Sequence, residues 1–171
     1  MELIRPTKKY KNSFLEYIEE IKRKDELKKI GDAAIKENEN FEQMLMRIEK
    51  IRYKENLIGA MKPTSVFGMV DNNKVVGTMN VREELNEFTY YTVGNIGYYV
   101  MPAFRNKGYA TSALSFAKKY CKSIGLNKIL LICSSDNPIS EKVIRKNGGV
   151  FETEIKAFNE NYYLKRYWIS L

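Results

Sequence analysis

The chain contains no histidine and only two cysteines among its 171 residues. Without histidine, the usual zinc ligand sets and a histidine-based catalytic triad are excluded. Cys121 and Cys133 are not at a metal-binding spacing, so we expect no metal. Apolar runs fall short of the ~18 residues that a membrane-spanning helix needs, and the first residues lack the profile of a signal peptide. These absences predict a cytoplasmic protein without a membrane partner.

Two common nucleotide-binding motifs are also missing. Neither G-x-x-x-x-G-K-[ST] nor G-x-G-x-x-G occurs, and there is no internal repeat or low-complexity segment. The length predicts a single domain spanning residues 1–171. A domain of this size buries roughly 70% of the surface that its unfolded chain exposes.

The charge balance is basic, with 29 Lys and Arg against 21 Asp and Glu and a formal net charge of +8. Such a charge is typical of proteins that bind nucleic acid or another polyanion. The lysines are spread along the whole chain and do not cluster on one segment. We therefore favour a polyanionic cofactor over a nucleic-acid partner, and keep a nucleic-acid-binding module as an alternative.

Residues 95–124 combine a strand, a glycine turn and a helix. Residues 96–101 are mostly β-branched or aromatic and end at Pro102, whereas residues 110–124 carry an apolar stripe of helical period. The turn between them reads R-N-K-G-Y-A. A turn that opens a helix directs unpaired N–H groups and the positive end of the helix dipole at an anion. Gly108 would let that anion approach the backbone closely, so the sequence predicts a phosphate cradle.

The remaining segments alternate helical and strand patterns. Strands are predicted at residues 2–5, 65–70, 75–81, 128–134, 150–158 and 162–169. Helices are predicted at residues 10–21, 41–51 and 139–146. The charged stretch 22–40 is interpreted as a mobile linker, residues 86–94 as a loop, and residues 159–161 as the turn between the last two strands.

This order of elements resembles the GNAT superfamily of N-acetyltransferases. Arg-x-x-Gly-x-Ala after a strand ending in Val-x-Pro resembles its pyrophosphate loop, and Asp-Asn-Pro-x-Ser with a later Asn-Gly-Gly resembles its second motif. The whole set of motifs is similar to a group of bacterial predicted acetyltransferases without an assigned substrate. The resemblance implies an α/β fold of the α+β sandwich type. Its mixed central sheet would have about seven strands, flanked by about four helices.

The resemblance also implies acetyl-CoA as co-substrate and an amine as acceptor, and it leaves a homodimer open. Main-chain groups of Tyr98, Tyr99 and Val100 would meet the pantetheine and the thioester, and Asn137 would bind the pantetheine arm. The pyrophosphate would be held by Arg105, Asn106, Lys107, Gly108, Tyr109 and Ala110.

The implied reaction is direct attack of the amine on the acetyl thioester in a ternary complex. An amine is mostly protonated at pH 7, so a group must accept its proton, and Glu83 or Glu84 could do so through a water. Many relatives carry a tyrosine, as acid for the leaving thiolate, where this chain has Ile144. Tyr98 is therefore the candidate acid, with Tyr99 or Tyr109 as substitutes. The alternative suggested by Ile144 is a regulatory or catalytically degenerate acyl-CoA-binding domain.

Overall fold

The computed structural model describes residues 1–158 and 160–171, so Asn159 of the predicted final turn lies outside the described residues. The strands form two antiparallel sheets. The first sheet has the order β1-β2-β3-β4, with β1 Glu2–Ile4, β2 Thr64–Asp71, β3 Lys74–Arg82 and β4 Ile96–Val100. The second has the order β5-β7-β6, with β5 Lys128–Ser134, β6 Val150–Lys156 and β7 Tyr163–Ser170. The seven predicted strands are confirmed, but they are divided between two sheets in which all neighbouring strands run antiparallel, instead of forming one mixed central sheet.

The two sheets are joined at one point, next to Asn95. An isolated bridge pairs Gly94 with Leu131, and the Asn95 N–H donates to the carbonyl of Leu130 at 2.7 Å. The Asn95 side chain extends this junction, because its Oδ1 accepts from the Leu130 N–H at 2.8 Å and its Nδ2 donates to the Arg82 carbonyl at 2.9 Å. Beyond this point, no further pairing joins β4 to β5 in the described part of the chain. The sheets therefore separate along β4 towards its C-terminal end.

Five α-helices surround the sheets: α1 Lys11–Arg23, α2 Phe41–Lys50, α3 Glu87–Thr92, α4 Tyr109–Ser123 and α5 Pro138–Lys146. α1 and α2 pack on one face of the first sheet, where Phe14 and Met44 share a buried cluster with Tyr99. α4 packs on the opposite face, where Leu114 lies in a cluster with Met79 that continues to the second sheet. None of the helices in residues 1–158 and 160–171 is long and apolar enough to cross a membrane.

The short helix α3 lies inside the stretch predicted to be a loop. Asn86 and Thr89 form a reciprocal capping box, in which the Asn86 side chain accepts from the Thr89 N–H at 2.8 Å and the Thr89 hydroxyl accepts from the Asn86 N–H at 2.9 Å. These two side chains satisfy the first N–H groups of the helix and so define its start.

The prediction of a mobile linker at residues 22–40 was wrong. Leu27–Ala33 forms 3₁₀ turns that are kinked at Gly31, and Ile30 and Ala33 are fully buried. The kink at Gly31 separates the two turns, and both residues belong to the buried cluster that contains Phe14 and Tyr99. We call Leu27–Ala33 the cover segment, because it packs over β3 and β4 on the α1/α2 face.

Candidate active site

The loop before α4 presents an open, donor-rich surface. Gly108 lies in the left-handed region with φ +80°, and no side chain caps the helix there. The Ser112 N–H is the first to bond back, to the Gly108 carbonyl at 3.0 Å, so the N–H groups of Tyr109, Ala110 and Thr111 have no acceptor within the helix. A Cβ added to Gly108 would meet no atom within 4 Å. These features fit a pyrophosphate bound at the start of α4.

The edge of β4 that faces the gap between the sheets carries free main-chain groups. Two hydrogen bonds bracket the β3–β4 pair, from Arg82 N to Asn95 O at 2.8 Å and from Met101 N to Val76 O at 2.9 Å. Because main-chain direction alternates along an antiparallel strand, Tyr99 also points towards β3. Tyr98 and Val100 point the other way, into the gap. The main-chain groups of Tyr99, predicted to meet the thioester, therefore face β3 instead of the gap, whereas Tyr98 and the Val100 N–H are directed into the gap.

Two side chains of the loop fold back onto neighbouring elements. Arg105 Nε donates to the Val100 carbonyl at 3.1 Å, and its guanidinium carbon lies 5.4 Å from the centre of the Tyr99 ring. The Tyr109 hydroxyl donates to Asp71 Oδ2 at 2.8 Å, which raises the pKa of that phenol. Both side chains therefore hold the shape of the loop, and Tyr109 is engaged away from the gap.

The remaining loop residues complete the turn. Asn106 adopts φ +62°, a left-handed conformation that asparagine tolerates better than most residues. The Lys107 ammonium lies 5.3 Å from the centre of the Phe104 ring, where it adds positive charge beside the start of α4.

The Tyr98 side chain connects β4 to α5 across the gap. Its hydroxyl shares a 2.9 Å hydrogen bond with the Ser140 hydroxyl, and burial raises the pKa of Tyr98 to about 12. Asn137 caps α5, since its Oδ1 accepts from the Ser140 N–H at 3.0 Å, and the residue is exposed. Ile144, at the position where relatives have tyrosine, is only 1% exposed and lies in the core. The phenol near the gap is therefore that of Tyr98.

The geometry does not support Glu83 or Glu84 as the general base. Glu83 Oε1 lies 3.5 Å from the hydroxyl of Tyr120. Tyr120 is about 16 Å along α4 from Tyr109, the first residue of the helix, so Glu83 is far from the loop that precedes it. Glu84 pairs with Lys62 at 2.8 Å and Lys54 at 3.3 Å, and these contacts hold the pKa of its carboxyl below the usual range. Both residues follow β3 at the end where the sheets are joined, because β3 runs antiparallel to β4 and ends beside its first residue.

A carboxylate beside the gap comes from a residue that the sequence did not single out. Glu26 accepts a hydrogen bond from the Tyr99 hydroxyl and one from Lys29, and its Oε2 lies 4.0 Å from Arg105 Nη2. The hydrogen bond from Lys29, followed by that from Tyr99, lowers the pKa of the Glu26 carboxyl. Glu26 lies just before the cover segment, in the stretch interpreted as a linker, so no pattern indicated it.

The two cysteines do not offer a nucleophile. Burial raises the pKa values of Cys121 and Cys133 to about 11, so both thiols are protonated at neutral pH. No group of three or more histidine, cysteine or acidic side chains suited to a metal ion occurs within the residues that the structure covers.

A family model described as the acetyltransferase (GNAT) family matches residues 15–149. Because this match covers most of the chain, the chain belongs to the GNAT family and is an enzyme of the acetyltransferase class. No curated protein matches it.

Several solved structures share the fold. The microcin C7 self-immunity acetyltransferase MccE, in complex with acetyl-CoA and AMP, is 20% identical over 99% of this chain and 91% of its own, with a TM-score of 0.68. A mutant spermidine N-acetyltransferase SpeG from Vibrio cholerae is 18% identical over 99% of this chain and 95% of its own, with a TM-score of 0.62. A structure named only as a "probable acetyltransferase" is 19% identical over 63% of this chain and 62% of its own, with a TM-score of 0.52. At these identities the likeness shows the fold alone.

Proposed function

We propose that this protein transfers the acetyl group of acetyl-CoA to a primary amine of a small molecule or peptide, by direct attack within a ternary complex. The observation that carries the proposal is the gap between the sheets. It is lined by main-chain groups of Tyr98 and by the N–H of Val100, none of which pairs with β5, and it leads to the uncapped start of α4. MccE binds acetyl-CoA, and SpeG by its name acetylates an amine, which supports this proposal by analogy.

In this proposal the start of α4 holds the pyrophosphate, and the bound acetyl-CoA supplies an activated acetyl thioester. The Val100 N–H, which points into the gap, stabilises the negative charge that develops on the thioester oxygen. Holding both reactants in one gap also removes much of the entropic cost of bringing them together.

Glu26 is the proposed proton acceptor for the attacking amine. Its carboxylate lies beside Tyr99 and Arg105, next to the end of β4 where the thioester would lie. Its lowered pKa keeps it ionised down to a pH below the usual ~4.3 of a glutamic acid. Such a carboxylate is a weak base, so we propose that it acts through a water that it orients towards the amine.

Tyr98 is proposed to assist the leaving thiolate. A thiol has a pKa near ~8.5, well below the value of about 12 for Tyr98, so full transfer of the phenol proton would be uphill. We infer that the Tyr98 hydroxyl donates a hydrogen bond to the sulfur, with Ser140 holding its orientation. The proton that finally reaches the sulfur then comes from water.

Two measurements test the proposal. Calorimetric titration with acetyl-CoA should show binding, and a screen of primary amines should release free coenzyme A thiol in step with an N-acetylated product. Binding without thiol release from any amine would favour the regulatory alternative. Absence of binding would refute the assignment of the gap as the acetyl-CoA site.

A further inference from the structure

Three residues on the α1/α2 face of β3 and β4 form a polar cluster under the cover segment. Asn80 is paired with Gly97 across the two strands, and Arg82 lies two residues further along β3. Cross-strand partners and alternate residues share a face of a sheet, so all three lie on the same side. Gly97 has no side chain, and a Cβ built there would lie 3.9 Å from Arg82 Nη1. The Arg82 guanidinium therefore lies over the bare backbone of Gly97, beside the gap.

Arg82 is poorly satisfied for an arginine in this position. The single hydrogen bond of its guanidinium within the described residues runs from Nη1 to the Gly94 carbonyl at 3.5 Å, and no carboxylate of those residues lies within 4.0 Å of the guanidinium. By contrast, Arg47 donates to Glu39 at 2.8 and 2.9 Å. Burial lowers the pKa of Arg82, and the charge of Asp32 acts in the opposite direction without a direct contact. A guanidinium stays charged in proteins and carries five N–H donors, and most of those of Arg82 have no acceptor among the described residues.

The Oδ1 atom of Asn80 is an unpaired acceptor close to the Arg82 guanidinium. The residue is 3% exposed, and its Nδ2 donates to the Ile30 carbonyl of the cover segment at 3.0 Å. Its Oδ1 is buried and has no partner among the described residues. Native proteins rarely leave such an atom unpaired, so it calls for an N–H donor from a ligand or a water.

The polar groups of the cluster and Glu26 follow one another along β4. Arg82 belongs to the end of β3 where the sheets are joined, and its guanidinium lies over Gly97, the cross-strand partner of Asn80. The carboxylate of Glu26 lies further along β4, at Tyr99. Both Arg82 and Gly97 are partly exposed, so a small molecule can reach them from solvent. A ligand that matches this order has an anion at one end and an amine at the other.

We propose that the acceptor is a small amino acid, whose carboxylate is bound by Arg82 and whose amino group donates a hydrogen bond to Asn80 Oδ1. This inference deepens the proposed function and rests on it. A planar guanidinium suits a carboxylate because it can donate two parallel hydrogen bonds. Anchoring the carboxylate at Arg82 directs the amine along β4 towards Glu26 and the thioester.

The decisive comparison uses a panel of L-amino acids, each with its own carboxamide. The carboxamide keeps the amine but lacks the charge. The wild-type enzyme should prefer the acid by about 10- to 100-fold in kcat/KM, the range expected for hydrogen bonds to a charged group. The amine of the carboxamide is less basic than that of the amino acid, so a larger fraction of it is unprotonated at neutral pH. Basicity alone would therefore make the carboxamide the better substrate.

Variants assign the preference to Arg82. In Arg82→Gln the ratio of acid to carboxamide should fall towards one while acetyl-CoA affinity is unchanged, and Arg82→Lys should restore part of it. Arg52→Gln is the matched control, because Arg52 pairs with Glu49 in the turn that follows α2 and should leave the ratio unchanged. Gly97→Ala should raise KM for the acid, because the new methyl group occupies the surface beneath the guanidinium at 3.9 Å.

The outcomes separate this inference from the proposed function. If amines without a carboxylate are acetylated as well as amino acids, and Arg82→Gln behaves as wild type, the inference is overturned while the proposed function stands. If no acceptor releases thiol, the proposed function fails, and calorimetry with the same amino acids in the presence of free coenzyme A decides the inference. The inference is supported if amino acids bind in a way that requires their carboxylate and Arg82→Gln abolishes this binding. It is overturned if no such binding is measured.

Discussion

Replacing Gly108 by alanine tests the phosphate cradle, and the chain provides a control for this substitution. Gly108 and Gly125 flank α4, with φ +80° and +87°, and a Cβ on either would meet no protein atom within 4 Å. The two alanine variants should therefore suffer the same conformational penalty. They differ only in what approaches the backbone, because Gly108 precedes the open start of the helix and Gly125 follows its end.

The size of both effects follows from this geometry. A left-handed alanine costs about 1–2 kcal/mol, which lowers Tm by roughly 2–8 °C in a domain of this length. At Gly108 the methyl group would also hold the phosphate oxygens away from the N–H groups of α4. Losing one charge-assisted hydrogen bond of about 1.5–3 kcal/mol weakens acetyl-CoA binding by about 10- to 100-fold.

The assay is calorimetry with two acyl donors, acetyl-CoA and S-acetylpantetheine, which lacks the pyrophosphate. Gly108→Ala should bind acetyl-CoA more weakly and S-acetylpantetheine as the wild type does, whereas Gly125→Ala should match the wild type for both. Equal losses in the two variants, or a loss for S-acetylpantetheine as large as for acetyl-CoA, would refute the placement of the pyrophosphate at this loop.

Three further predictions concern individual side chains. Arg166 is 3% exposed and donates to Glu152 at 2.7 Å and to the Tyr90 carbonyl, so Arg166→Met should cost about 1–3 kcal/mol in urea unfolding, because the carbonyl loses its donor. Arg82→Met should cost almost nothing by the same measurement, and an equal loss would show that Arg82 has a structural role. Glu26→Gln should lower kcat/KM by about 100-fold or more without changing acetyl-CoA affinity, while Glu84→Gln should stay near wild type. The reverse result would indicate that Glu84, after the end of β3, is the base. Ile144→Tyr should raise turnover by less than about tenfold and destabilise the core by about 1–3 kcal/mol, because Ile144 is buried; a gain of several orders of magnitude would identify a decayed enzyme.

The loop that begins α4 was predictable because all of its signals are local. A β-branched and aromatic strand, Pro102, a glycine and an apolar stripe of helical period lie within thirty residues of one another. Each of them determines nearby backbone geometry without help from distant segments. The same locality explains the two-residue turn at Asn72 and Asn73, which joins β2 to β3, because asparagine tolerates the left-handed conformation that both residues adopt.

Glu83 and Glu84 were predicted as candidate bases because closeness in sequence was read as closeness in space, and the geometry favours Glu26 instead. Glu83 and Glu84 lie only a short distance before β4 in the chain, but they follow β3 at the end where the sheets are joined. Glu26 lies seventy residues before Tyr99, and only the packing of the cover segment brings the two together. A charged stretch with two buried apolar residues, Ile30 and Ala33, has too low an average hydropathy to indicate that packing.

The sequence by itself determined the family, the seven strands, four of the helices and the loop at the start of α4, since strand, turn and helix signals act over a few residues. Tertiary structure alone decided that the strands form two sheets that meet beside Asn95, because that junction depends on the Asn95 side chain bonding Leu130 on one side and Arg82 on the other. It also decided the polar cluster beside the gap, where Arg82 meets Gly97 through strand register and Asn80 meets Ile30 from fifty residues away. Contacts between segments so far apart leave no spacing in the sequence from which they could be read.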